Sequence, residues 1–174
     1  MSRYTLRLHH GTPGWVKTGA MFHVRIRVAA IQSIPLTEAS LAGLLIDAAR
    51  QYHVSGYWWC ELLLLTPDHL HASLVFPGET SMSTVIRNWK RGMARLHRVA
   101  WQPNYFDHRI RDDQEKEKTW QYIRLNPVAK GLCANEDDWT FWWSALSPTR
   151  LLAESRVRSL KKNLVEVGAP DRVS

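Results

Sequence analysis

Two histidines flank a single leucine at His69-Leu70-His71, the sharpest grouping of chemistry-bearing side chains in the sequence. On an extended strand, residues two apart share a face, so both imidazoles converge while Leu70 turns toward a core. Two convergent imidazoles can hold a divalent ion such as Mn²⁺, Zn²⁺ or Mg²⁺, with other ligands filling the shell. The same three residues also describe the polar face of a partly exposed strand. A second pair, Tyr122 and Asn126, has the spacing of one helical turn and so lies on one helix face. The Asn126 amide oxygen can supply a third metal ligand, and Tyr122 a phenolic oxygen beside it. A phenol with a pKa near 10 is a poor nucleophile at neutral pH unless a base or a metal acts on it. A cation that polarises a phosphodiester also stabilises the charge on the attacked phosphate. The alternative for this pair is a buried helix tyrosine followed by an asparagine cap.

The elements that would position these groups can be read from periodicity. Phe22, Val24, Ile26 and Val28 alternate with His23, Arg25 and Arg27, a strand with one apolar and one basic face. Residues 37–52 carry apolar side chains at helical spacing after a Thr-x-x-Ser start. Two apolar runs, Trp58 to Leu65 and His69 to Phe76, surround Thr66-Pro67-Asp68 and predict a β-hairpin with the histidine pair on its second arm. Residues 81–99 form a basic amphipathic helix in which Val85, Trp89, Met93 and Leu96 fall three or four apart. Residues 101–111 read as a loop with a short strand at Tyr105-Phe106. Asp112 with Glu115 three residues on is a capping-box start. The helix that it opens is expected to end near Leu125, because Pro127 disfavours helical geometry at Asn126. Trp139 to Trp143 is a last strand, and Ser147 to Val167 an amphipathic tail helix. The order strand, helix, hairpin, helix, strand predicts an α+β fold of ferredoxin-like type, an antiparallel sheet with packed helices and the histidines on a central strand.

At 174 residues the chain has room for one domain and a tail. No apolar run approaches the roughly 20 residues that cross a bilayer, and the sequence opens without a secretory pattern. Cys60 and Cys133 are too few for a disulfide scaffold, and Cys60 sits in an apolar run. The expectation is a soluble protein of a reducing compartment. Lys and Arg total 23 against 16 Asp and Glu, a formal +7, which favours a polyanionic partner. Arg87, Lys90, Arg91, Arg95 and Arg98 cluster without an intervening acid, and Arg150, Arg156, Arg158, Lys161 and Lys162 repeat the bias. Such a helix can track phosphates, with binding that weakens as salt rises, or can simply be a solvated face. Arg25 and Arg27, with His23, extend the basic surface or face solvent. Most of the nine Trp are expected in the core, where they bury a large apolar area, rather than in stacking on bases. Glu61 stands in an apolar strand, where a charge is costly unless paired; it either backs the metal site or pairs with an arginine, and the arginine is the expected partner.

In this order the motifs resemble the REP-associated tyrosine transposase family, relatives of insertion-sequence transposases that cut single-stranded DNA with a His-hydrophobic-His motif and one tyrosine. The resemblance runs from Arg7-Leu8-His9-His10-Gly11-Thr12-Pro13-Gly14-Trp15-Val16 to about Trp143. It includes Thr66-Pro67-Asp68-His69-Leu70-His71, Trp101-Gln102 and Tyr105-Phe106-Asp107-His108-Arg109-Ile110-Arg111. It continues in Tyr122-Ile123-Arg124-Leu125-Asn126-Pro127-Val128 and Lys130-Gly131-Leu132.

The resemblance implies that His69 and His71 bind a divalent metal, Mg²⁺ or Mn²⁺, and that Asn126 completes its shell. Tyr122 would attack the scissile phosphate of single-stranded DNA flanked by a hairpin, leaving a 5′-phosphotyrosine and a free 3′-hydroxyl. It further implies a bacterial cytoplasmic location, a leader arm over residues 1–17, a catalytic domain over 18–146 and a basic tail over 147–174. Two positions depart from the family pattern: Thr66 and Asp68 stand where Met and Asn are usual, which puts an extra carboxylate beside the metal site. Two other function classes compete. One is a DNA-binding module of the same fold without catalysis. The other is a two-histidine phosphoesterase, which His53-Val54-Ser55 and His71-Ala72-Ser73 match formally but without the two-strand symmetry that this chemistry needs.

Overall fold

In the computed structural model, which describes residues 19–78 and 80–146, the alternating segment becomes β1, Met21–Arg27. It leads into α1, Ala39–Val54. The expected start at Thr37 gives way to Glu38, whose carboxylate accepts from the backbone N–H groups of Ser40 and Leu41. A carboxylate there satisfies two otherwise unpaired N–H groups and complements the helix dipole. The hairpin follows as β2, Trp59–Leu65, and β3, His69–Val75. Next come α2, Met82–His97, capped by Ser81, and β4, Phe106–Ile110. The segment expected to be mostly loop therefore holds a five-residue strand, ordered by pairing along β1 from Met21↔Ile110 to Arg25↔Phe106.

The last helix, α3, is Asp113–Ala129, with the Asp112 carboxylate accepting from Glu115 N–H as the capping pattern predicts. It does not stop at Leu125. Pro127 lies inside it, a position that ordinarily disfavours a helix, and Ile123, one turn before it, is buried with Leu62, Leu64 and Trp139 beneath the helix. A 3-10 turn, Glu136–Asp138, and β5, Trp142–Trp143, complete the described chain. The leader arm (1–17) and the tail helix (147–174) expected above lie outside the described residues.

The strands form one antiparallel sheet in the order β4-β1-β3-β2-β5, so the histidine pair sits on the central strand. The first four strands carry the ferredoxin-like order, and β5 extends the β2 edge. The two faces of the sheet are covered differently. Phe22, Val24, Ile26, Leu70, Ala72 and Leu74 pack with Leu41, Leu45, Val85, Ile86 and Trp89, so α1 and α2 share the main core. Leu62 and Leu64 turn to the opposite face and meet Ile123 and Trp139 in a smaller cluster under α3. Trp139 is pinned there by an Nε1–H bond of 2.9 Å to the Leu65 carbonyl. Of the eight described tryptophans, Trp58, Trp89, Trp139 and Trp143 are buried, Trp101, Trp120 and Trp142 are half-buried against the two cores, and Trp59 is exposed. Among the described residues no helix is long and apolar enough to cross a membrane.

Candidate active site

The α3 face of the sheet is where the polar residues of β1 and β3 meet. Antiparallel register places Arg27 opposite His69, Arg25 opposite His71 and His23 opposite Ser73. The two histidines are not on a partly exposed surface: His69 is 3% and His71 0% accessible. Their Nε2 atoms lie 3.0 Å apart. On its other side, His69 Nδ1 is 2.6 Å from Asp68 Oδ1 and 2.8 Å from the Thr66 hydroxyl. A carboxylate only accepts, so His69 carries its proton on Nδ1 and leaves Nε2 as a lone pair. The Thr66 hydroxyl in turn donates to the His69 carbonyl oxygen, tying the hairpin link to the site. The two departures from the family motif, Thr66 and Asp68, thus both act on the His69 ring. Asp68 also accepts from Arg27 Nη2 at 2.8 Å. Partial burial opposes its ionisation, but the Arg27 and His69 bonds hold it well below the usual carboxylate range.

Burial depresses the basicity of both ligand candidates. His71 is pushed down to about 2, with the neighbouring charges of His69, His23, Arg25 and Lys130 adding to the effect. His69 is lowered by burial even though Asp68 pulls the other way. Both are therefore neutral at physiological pH, the state in which imidazole binds metals.

Helix α3 lies over this pair. The Tyr122 ring meets His71 edge-on at 5.6 Å between centroids, and the residue is 50% exposed. Eight residues on, Lys130 is close enough to act electrostatically on His69, His71 and Asp68. Asn126 falls between them on the same i, i+4 row. It is buried, and its Oδ1 has no hydrogen-bond partner among the described residues. A buried amide oxygen left without a partner costs about 1–3 kcal/mol.

These observations test whether a divalent ion suits the residues present. Two neutral imidazole nitrogens 3.0 Å apart suit adjacent corners of an octahedron with bonds of about 2.1 Å. The Asn126 oxygen, on the helix row between Tyr122 and Lys130, is a further buried donor without a partner among the described residues. No group of three or more His, Cys, Asp and Glu side chains arranged to hold a metal ion occurs among the described residues, so the donor set on offer is two imidazoles and an amide. The residues fit.

The cations expected to contact DNA divide between the two faces. Arg25 and Arg27 flank the histidines; the Arg25 guanidinium lies 5.3 Å over the Phe106 ring, and its Nε is buried with no partner among the described residues. Arg87, Arg91 and Arg95 are exposed on α2, across the sheet from Tyr122. Lys90 is not a free cation: its Nζ donates to the Gln102 and Pro103 carbonyls at 2.7 and 3.1 Å and so pins the loop before β4. Glu61 is paired, but with Lys116 on α3 at 2.8 Å rather than with an arginine. The phosphoesterase pairing is not assembled. His53, at the end of α1, accepts from Cys60 N–H and packs on Trp59 and Trp143, whereas His71 is bonded to His69 and His23.

Two contributors were not singled out from sequence. In the sequence Lys130 is only one position of a longer motif. The strand pattern puts His23 on a basic or solvent-facing surface, yet it is 8% accessible and its Nε2 lies 2.9 Å from His71 Nδ1. The signal was present: His23 alternates onto the Arg25 and Arg27 face, and pairing of β1 with β3 brings that face to His71.

Comparison with known proteins agrees with the motifs. The REP-associated tyrosine transposase of Escherichia coli (strain K12) is 28% identical over 131 residues, which cover 73% of this chain and 77% of that relative. The solved structure of a REP-associated tyrosine transposase bound to a REP hairpin is similar in fold, with a TM-score of 0.63 and 24% identity over 82% of each chain. No family model matches the chain. The resemblance thus extends over most of the sequence and over the α+β fold.

Proposed function

We propose that this chain is a REP-associated tyrosine transposase, a divalent-metal-dependent enzyme that cleaves and rejoins single-stranded DNA beside a hairpin through Tyr122. The observation that carries the reading is the pair of His69 and His71 Nε2 atoms 3.0 Å apart, with the exposed Tyr122 ring edge-on to His71. His69, His71 and Asn126 would hold Mg²⁺ or Mn²⁺, whose chemistry when bound would be to polarise the scissile phosphate and stabilise the charge that develops on it. The Tyr122 oxygen attacks phosphorus, the bond to the 3′ oxygen breaks, and the phenolic proton is in net terms transferred to that oxygen. The products are a 5′-phosphotyrosine and a free 3′-hydroxyl. Because one phosphodiester is exchanged for another, rejoining by the reverse attack needs no nucleotide cofactor. Arg25 and Arg27 supply positive charge on the strand next to the histidines, and the Asp68 carboxylate fixes His69 with Nε2 free.

The test is incubation of the protein and Tyr122→Phe with labelled single-stranded hairpin DNA and Mn²⁺ or Mg²⁺. A denaturation-resistant adduct formed by the wild type and absent from the variant is the expected result. An adduct formed equally by both overturns the role of Tyr122. Salt-sensitive binding with no adduct from either favours the non-catalytic DNA-binding module of the same fold.

A further inference from the structure

His23 takes no part in the reaction above, yet it sits where the metal ligand and the nucleophile meet. Its ring stacks on His71 with centroids 5.1 Å apart and planes 23° from parallel, and it meets Tyr122 and Phe106 edge-on at 5.9 and 5.8 Å. Its Nε2 is the hydrogen-bond partner of His71 Nδ1. The two ligand candidates are therefore backed differently: His69 by a carboxylate that can only accept, His71 by an imidazole that can accept or donate.

We infer that His23 is a positioning residue that orients His71 for metal binding and sets which of its nitrogens carries the proton. The inference rests on the proposed metal site. In the arrangement seen, one direction satisfies all three contacts: His23 Nε2–H donates to His71 Nδ1, His71 Nε2–H donates to His69 Nε2, and His69 Nδ1–H donates to Asp68. For His71 to offer Nε2 to a cation, its proton has to sit on Nδ1, where only an acceptor can receive it. His23 becomes that acceptor by carrying its own proton on Nδ1. Each ring keeps one proton throughout, so both states are neutral and hydrogen-bonded. Partners of this kind on the far nitrogen of a ligating histidine are typically worth 10–100-fold in metal affinity.

The test is Mn²⁺ binding to the full chain, followed by the electron paramagnetic resonance signal of free Mn²⁺, without DNA. His23→Leu is expected to weaken binding 10–100-fold. His23→Gln, whose amide can still accept from Nδ1, is expected to recover most of that loss. A leucine variant that binds as tightly as the wild type overturns the inference while the metal site stands. A glutamine variant no better than leucine assigns His23 to packing alone and also overturns it. A wild type that takes up no Mn²⁺, or a His71→Ala variant that binds unchanged, removes the metal reading and this inference with it. On the unaltered protein, ¹⁵N imidazole spectra should show the His23 proton on Nε2 without metal and on Nδ1 with Zn²⁺; a His23 tautomer unmoved by Zn²⁺ overturns the inference even if the variants do not fold.

Discussion

Helix α3 brings the candidate nucleophile to the sheet, and one ion pair beneath it can be weighed. Glu61 is buried on β2, its Oε1 is 2.8 Å from Lys116 Nζ, and its Oε2 has no hydrogen-bond partner among the described residues. Lys116→Met would leave a buried carboxylate with neither oxygen engaged. Breaking a fully buried pair costs about 3–5 kcal/mol, but Lys116 is more than a third exposed, so solvent screens part of the interaction. The expected loss is about 2 kcal/mol, roughly a 30-fold change in the folding equilibrium. Removing both charges in Glu61→Leu with Lys116→Met should restore at least half of it, because the cost lies in the stranded charge rather than in the missing attraction. Urea unfolding followed by tryptophan fluorescence at pH 7 supplies the cycle, with the coupling energy as its output. A Lys116→Met variant as stable as the wild type, or a double variant whose loss is the sum of the singles, would refute the reasoning. Because the pair joins β2 to the helix bearing Tyr122, adduct yield with hairpin DNA should fall in Lys116→Met and recover in the double variant.

Three further outcomes follow. The pKa of His23 is lowered from 6.5 to about 4, first by burial and then by Arg25 and His108. The unfolded chain therefore takes up a proton below pH 6.5 that the folded chain refuses, and the contribution of His23 to metal-free stability should be constant above that pH and fall by roughly 3 kcal/mol down to pH 4, with His71 adding a loss in the same direction; a flat stability profile from pH 7 to 4 would contradict this burial. Ile123→Ala, in the small cluster under α3, should cost about 2–4 kcal/mol in chemical unfolding; a loss below about 0.5 kcal/mol would mean that α3 is held by its polar contacts alone. Finally, replacing Arg25 and Arg27 by Gln should reduce adduct formation more than replacing Arg87, Arg91 and Arg95, since only the first pair flanks the histidines; the opposite ranking in a salt titration of DNA binding would move the DNA path to the α2 face.

Much of the frame was legible because its signals are local. Alternation located β1, the Thr66-Pro67-Asp68 link located the hairpin, and together with the helices between them they give the central position of His69 and His71. What could not be read depends on contacts distant in sequence. Pro127 argues locally for a helix end, but packing on the sheet carries α3 past it. Charge alone cannot tell a free cation from one spent on carbonyls, as Lys90 is. Nor does it reveal that α2 and α3 occupy opposite faces, which separates Arg87 from Tyr122. His23 looks like its neighbours Arg25 and Arg27 until α3 is laid over it, because exposure is set by the layer above and not by the strand.

The bulge in β2 has its own consequence for how this sheet tolerates change. Cys60 pairs with Leu74 and Leu62 with the adjacent Ser73, so Glu61 is an extra residue on its strand. Downstream of it stand four leucines in a row, Leu62 to Leu65, shared alternately between the two cores. Normally a shift of one residue exchanges the two faces of a strand and is heavily penalised. Here the exchange swaps leucine for leucine, so the strand is written in a palindromic alphabet that reads the same from either side. Parity is kept instead by β3, where His69, His71 and Ser73 alternate with Leu70, Ala72 and Leu74. A deletion of Glu61 would therefore straighten β2 without exposing a leucine, and its harm would fall on the anchorage of α3.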